Sequence, residues 1–246
     1  IFENSKISLP EWFIAIYLAS STTKGISSVQ LAKHLGRTQK SAWFMLHRIK
    51  EITDNKENNQ LDGVVEIDET YIGGKAENMH MSKRIEKKGI FKKSIVLGLV
   101  QRDGEVKAIK IEDTKANTLK GAIYNNVKEN SLIITDELNS YKGIVNYNHQ
   151  SVNHSAGEYC KDFSFESRKE GHKAYKIHTN NIEGFWALVK RTIYGTHHWI
   201  SNKHTQRYLN EIQFRFNSKK SNESDKFNFL ISKVAGNRLT YKSLIA

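Results

Sequence analysis

Three acids in this 246-residue chain stand where backbone geometry could aim them at one point. Asp68 closes the strand-like run Val64-Val65-Glu66-Ile67, Asp136 follows Leu132-Ile133-Ile134-Thr135, and Glu183 lies in the first turn of a helical pattern that begins near Asn181. If the two runs are neighbouring strands, their ends bring Asp68 and Asp136 together, as strand ends converge in open α/β sheets. Facing carboxylates repel each other, and a divalent cation relieves that repulsion. Ligands that are all oxygen suit Mg²⁺ or Mn²⁺, and two such ions about 3.5–4 Å apart would activate a nucleophile and stabilise the leaving oxygen of a phosphodiester. Each acid alone also fits a solvated strand end or a helix N-terminus favoured by the dipole, so only the combination points to chemistry. Lys190 follows Glu183 by seven residues and falls on the same helical stripe, where it could meet a phosphate or serve as an ordinary surface partner.

The elements that must hold these residues follow from periodicity. Strands are expected at 64–68, 94–100 and 106–111, with Gln101-Arg102-Asp103-Gly104 as the turn between the last two. A helix over 116–127 and a buried strand over 131–135 come next, then helices at about 181–194 and 203–217. This pattern calls for a mixed sheet covered by helices. Ahead of it, Ser8-Leu9-Pro10-Glu11 carries the signals of a helix start, predicting a helix from about 9 to 21. Two further helical stretches, Ser27 to Leu35 and Thr38 to Ile52, flank Gly36 with the spacing of a helix-turn-helix. Its third helix would expose Thr38, Gln39, Lys40, His47 and Lys50 to a major groove or to phosphates, although a small helical bundle without DNA contact has the same pattern. The polar stretch from Asp54 to Gln60 reads as a linker between the two regions.

Charge gives a coarse partner. A net charge of +12 attracts a polyanion such as nucleic acid or an anionic membrane surface. Much of it gathers between the first two strands, where Lys75, Lys83, Arg84, Lys87, Lys88, Lys92 and Lys93 outnumber Glu77 and Glu86. Such a segment either clamps phosphates with salt-dependent affinity or is a solvated loop. No apolar run approaches the length of a membrane span and no signal segment opens the chain, so a soluble, intracellular protein is expected. The one cysteine, Cys160, excludes an internal disulfide and a multi-cysteine zinc site, and His178, His197, His198 and His204 are read as phosphate contacts or packing groups ahead of zinc ligands.

The blocks Val65-Glu66-Ile67-Asp68-Glu69-Thr70-Tyr71-Ile72-Gly73-Gly74-Lys75, Thr135-Asp136-Glu137 and His178-Thr179-Asn180-Asn181-Ile182-Glu183-Gly184-Phe185-Trp186, with Arg207-Tyr208-Leu209-Asn210-Glu211 further on, carry a family resemblance. The chain resembles the insertion-sequence transposases of the DDE type, in the ISXO-two-like branch. The resemblance implies an α/β fold, an RNase H-like mixed sheet flanked by helices over 61–217, preceded by a small all-α helix-turn-helix module over 1–56 and followed by a helical tail over 218–246. It implies that Asp68, Asp136 and Glu183 are the metal-binding catalytic acids and that Lys190 is the basic residue after the third. Some relatives carry asparagine or histidine at the third position; the lysine at the expected offset favours Glu183 over Asn180. The expected cofactors are two Mg²⁺ or Mn²⁺ ions. The expected partners are double-stranded DNA, both element ends and target, with a homo-oligomer in the synaptic complex, no membrane and a cytoplasmic, nucleoid-associated location. Thr38, Gln39, Lys40 and His47 would read DNA, and Lys75, Lys83, Arg84, Lys87 and Lys88 would hold it. An RNase H-like nuclease or resolvase that cuts without joining, and a domesticated DNA-binding regulator, share parts of this pattern. Relatives commonly carry a cysteine-rich zinc ribbon ahead of the helix-turn-helix. This chain begins where that module would end, so either an upstream piece was lost or trimmed or this copy does without it.

Overall fold

A computed structural model describes residues 1–54, 59–74, 93–153, 157, 160–167 and 171–245. Along the chain run α1 (Leu9–Ser21), α2 (Ser28–Leu35), α3 (Gln39–Ile52), β1 (Val64–Ile72), β2 (Ser94–Gln101) and β3 (Val106–Ile111). There follow α4 (Ala116–Asn126), β4 (Leu132–Thr135), β5 (Asn148–Ser151), β6 (Lys161–Ser167), β7 (Gly171–Ile177) and α5 (Asn180–Thr192). A π-helical turn over Ile193–His197 and a short 3₁₀ turn over Asn202–His204 lead to α6 (Thr205–Asn217), α7 (Glu223–Ser232) and α8 (Tyr241–Ile245). Two compact units result, one of Ile1–Glu57 with Leu188–Ala246 and one of Asn58–Ala187.

The second unit is built on a five-stranded mixed sheet in the order β3-β2-β1-β4-β5. β1, β2 and β3 pair antiparallel, whereas β4 joins β1, and β5 joins β4, in parallel. This is the mixed sheet flanked by helices expected of an RNase H-like core. Val65 and Ile67 on β1 share a dry cluster with Leu97, Leu99, Leu119, Ile123 and Tyr141. By the two-residue period of a strand, Glu66 and Asp68 face the other way. The β2–β3 turn forms as expected, with Asp103 at φ +58 and Gly104 N–H donating to Gln101 O. Two features departed from the expected pattern. β5 is Asn-His-Gln-Ser, without an apolar residue, and the β6–β7 hairpin stands as a separate two-stranded sheet. β5 carries no alternation at all, whereas the hairpin does, with Phe163 and Phe165 on β6 and Tyr175 and Ile177 on β7 spaced by polar residues, a strand signal the sequence reading passed over.

In the first unit, α1 starts as its sequence dictates, with Glu11 Oε2 accepting the Ser8 N–H at 3.1 Å, and α2 ends at Gly36 in the left-handed conformation, φ +61. Trp12, Ile16, Leu31, Ala42, Met45 and Ile49 form the core together with Phe214 of α6 and Leu230 of α7. The helices after Leu188 thus pack as one unit with the first three, across a sequence distance no local pattern reveals.

That packing corrects the exposure expected of α3. His47 has no solvent exposure, its ring set against Trp43, His204 and Tyr208, and Lys50 is buried with its ammonium 2.9 Å from Glu211 Oε2. α6 and the turn before it cover the face that α1 and α2 leave open. His47 is therefore a core residue and is withdrawn as a DNA contact, and Lys50 with it.

Candidate active site

Parallel pairing between β1 and β4 stops at Glu66 opposite Ile134, while β1 continues against β2 as far as Ile72 opposite Ser94. Asp68 consequently sits in the middle of a nine-residue strand and not at its end, a correction to the sequence expectation. The local consequence is nearly the same, because β4 ends at Thr135 and leaves the flank of β1 open where Asp68 and Asp136 meet. Carboxylate oxygens of Asp68, Glu69 and Asp136 all lie within 4.8 Å of one another. Asp136 is oriented by its own turn, Oδ1 accepting the Leu138 N–H at 3.0 Å.

The acid expected as the third, Glu183, lies on α5 and is not among the carboxylates that come within 4.8 Å of one another. On this helix Ile182, Phe185 and Val189 are fully buried, and the Trp186 indole N–H donates to Asp68 Oδ2 at 2.9 Å. Gly98 makes that approach possible. It is the β2 partner of Asp68, and a Cβ at this position would lie 2.5 Å from the Trp186 ring. Glu183 precedes Trp186 by three residues, which places both on one face of the helix. Its side chain is exposed, takes a hydrogen bond from Thr179 Oγ1 at 3.0 Å, and acts electrostatically on Asp68.

The start of α5 is held by a fourth acid. Glu66, without solvent exposure, accepts the backbone N–H groups of Asn181 (2.9 Å) and Ile182 (3.1 Å), the Asn181 side-chain amide (2.7 Å) and Arg102 Nε (2.9 Å).

Among the described residues, the acids of the site shift one another without a cation beside them. Burial pushes the Asp68 carboxyl above its ordinary value, the Glu69 amide and Trp186 indole oppose that, and Asp136 and Glu183 push it up further. Glu69 is raised to about 7, first by burial and then by Asp136 and Asp68, against the Tyr141 hydroxyl, which favours its anion. Glu69 Oε1 is buried without a hydrogen-bond partner among the described residues. No Lys or Arg among the described residues forms an ion pair with Asp68, Glu69 or Asp136. An all-oxygen donor set with a buried oxygen that has no partner, and no paired Lys or Arg, among the described residues fits a hard divalent cation.

Lys190 is exposed, seven residues beyond Glu183 along α5. Thr38, Gln39 and Lys40 are exposed at the start of α3, where Thr38 Oγ1 also caps the helix by accepting the Ser41 N–H at 3.2 Å. Lys75, Lys83, Arg84, Lys87, Lys88 and Lys92 lie outside the described residues; Lys93 is exposed. Glu66, Glu69 and Tyr141 were missed by sequence reasoning. For Glu66 a signal existed, since an acid two residues before Asp68 in a strand must share its face.

A family model of the ISXO2-like transposase domain matches residues 60–217, nearly two thirds of the chain. The chain belongs to this transposase family. No curated protein matches the chain. The fold of this transposase is accordingly the RNase H-like one, and among its described residues no helix is long and apolar enough to cross a membrane.

Proposed function

We propose that this transposase cuts the ends of an insertion sequence and joins them to target DNA at a site formed by Asp68, Asp136 and Glu183. The observation that carries the reading is the convergence of Asp68 and Asp136 at the flank of β1 beyond β4, with Glu183 one helical turn before the indole that binds Asp68. These three carboxylates would hold Mg²⁺ or Mn²⁺, with Glu69 beside them. When bound, such an ion supplies Lewis-acid polarisation of phosphodiester oxygens and an activated oxygen nucleophile. The chain's own contribution is to hold the carboxylates of Asp68, Glu69 and Asp136 together in a half-buried arrangement, with the Trp186 N–H and the Glu69 amide seating Asp68.

Lys190 is assigned to a DNA phosphate. Thr38, Gln39 and Lys40 are assigned to base edges or phosphates as part of a DNA-binding module within 1–56, and Lys75, Lys83, Arg84, Lys87 and Lys88 to phosphates. The working form is a homo-oligomer that pairs two element ends, in the cytoplasm on nucleoid DNA. A strand-transfer assay tests the reading: labelled element-end duplex, a target plasmid and Mg²⁺ are incubated with the protein. Joined product that disappears in Asp68→Asn, Asp136→Asn and Glu183→Gln is expected. Cut but never joined DNA would make the chain a nuclease, and joining at the wild-type rate in any one variant would remove that residue from the site.

A further inference from the structure

A buried carboxylate with no part in the chemistry needs a reason, because removing it from water costs several kcal/mol and an apolar side chain could fill the same space. Glu66 is such a group. Both of its oxygens are used, Oε2 by the two amides that open α5 and Oε1 by the Asn181 side chain and Arg102. Arg102 spends its remaining nitrogens on the chain that leads into the helix, donating to Lys176 O at 2.7 Å and His178 O at 3.1 Å. His178 Nδ1 lies 3.4 Å from Glu66 Oε1. Strand β1, the β2–β3 turn, the end of β7 and the first turn of α5 are thereby tied at one point.

The second tie is the Trp186 indole on Asp68. Two residues of strand separate Glu66 from Asp68, about 6.5–7 Å. Four to five residues of helix separate Asn181 and Ile182 from Trp186, about 6–7.5 Å. The two spacings match, so α5 runs along β1 with both ends of its first turn and a half pinned to alternate residues of one strand face. Glu183 lies between the pins. A helix held at one point can slide or turn about its axis; held at two, it cannot.

We infer that Glu66 is a positioning residue of the reaction: clasped by Arg102 and the amides opening α5, it fixes Glu183 against Asp68 and Asp136. This rests on the reading of Glu183 as the third acid. Directional hydrogen bonds set a register that apolar packing leaves loose, which explains why a charge occupies this place. Partners one step behind metal ligands typically change metal affinity or activity by about 10–100-fold when removed.

The test is a double-mutant cycle on the full chain, with Mn²⁺ affinity read by electron paramagnetic resonance, kcat and KM for element-end DNA, and circular dichroism with thermal melting as the fold control. Glu66→Gln is expected to weaken Mn²⁺ binding about tenfold or more and to lower kcat, while KM stays within about twofold of wild type. In a Glu183→Gln background the same substitution should change Mn²⁺ affinity no further. Asn181→Ala, which removes one donor and leaves the helix amides in place, should shift both quantities in the same direction by less. An additive loss in the Glu183→Gln background would make Glu66 a merely structural residue and overturn the inference. So would unchanged Mn²⁺ affinity in folded Glu66→Gln. If Glu66→Gln does not fold, unchanged affinity in Asn181→Ala overturns it. Unchanged Mn²⁺ affinity in Glu183→Gln itself would overturn the third-acid assignment along with it, and is distinguishable because it appears with Glu66 intact.

Discussion

Buried acids are treated in opposite ways in the two units. In the first, Glu211 on α6 is almost wholly buried and lies between the Lys50 ammonium and the Arg215 guanidinium. Despite the burial, those two cations hold its carboxyl far below the usual range, and Lys50 also sits 4.6 Å over the Tyr208 ring. In the second, Asp68, Glu69 and Asp136 crowd together without a described cation, and burial with mutual repulsion raises Asp68 and Glu69. Glu66, two residues before Asp68 on β1, belongs with Glu211: it has Arg102 at 2.9 Å and helix amides besides. Acids paired with cations and amides fit architecture, and acids that pair with no described Lys or Arg fit a place kept for a cation.

The largest expected effect separates the two kinds directly. Glu211→Gln leaves two buried cations facing a neutral amide and should destabilise the protein by about 3–5 kcal/mol, the range for breaking a buried pair. Asp136→Asn removes one of several repelling charges and should leave metal-free stability unchanged or slightly raised. Urea unfolding in chelator measures both, and a loss in Asp136→Asn comparable to that in Glu211→Gln would break the comparison.

A smaller effect probes how Asp68 is held. Gly98→Ala inserts a methyl group 2.5 Å from the Trp186 ring, and overpacking of this kind costs about 1–3 kcal/mol. The indole must withdraw from Asp68, so Mg²⁺-dependent cleavage should fall while circular dichroism keeps its native form. Wild-type cleavage in Gly98→Ala would show that the indole contact is dispensable.

The two regions should respond to pH with opposite signs. His47 is held neutral by burial and then by Lys50, with its folded value lowered from 6.5 to about 2. Below pH 6.5 the unfolded chain takes up a proton that the folded one refuses, so stability around α3 and α6 should fall by roughly 1.4 kcal/mol per pH unit. Glu69, raised from 4.5 to about 7, binds its proton more tightly when folded, so in chelator stability around β1 and β4 should rise as pH falls from 7 toward 4.5. Hydrogen exchange resolved by region checks both signs; His47→Gln should flatten the first trend and Glu69→Gln the second.

Much of this arrangement was legible in the sequence. Apolar runs gave β1 to β4, the Ser8 and Gly36 signals bounded the first helices, and Asp136 follows the end of β4 and Glu183 lies in the first turn of α5 as expected. What the sequence hid is what arises between distant segments. β5 has no apolar residue to betray it, and the burial of His47 and Lys50 depends on α6, which lies some 160 residues downstream. Asp68 looked like a strand end because the apolar alternation stops there, whereas β1 continues through Glu69, Thr70 and Tyr71 on the strength of pairing with β2. Glu69 looked like a mere neighbour of Asp68, and its place in the cluster depends on β4 ending early.

On this reading Asp68, Glu69 and Asp136, which pair with no Lys or Arg among the described residues, are kept for a divalent cation. Titration calorimetry with Mn²⁺ on the full chain, beside Asp68→Asn and Asp136→Asn, tests it most directly. The expected result is saturable binding in the wild type that drops by at least about tenfold in affinity in each variant, with unfolding midpoints in chelator no lower than that of the wild type. Equal Mn²⁺ binding by all three proteins would contradict it.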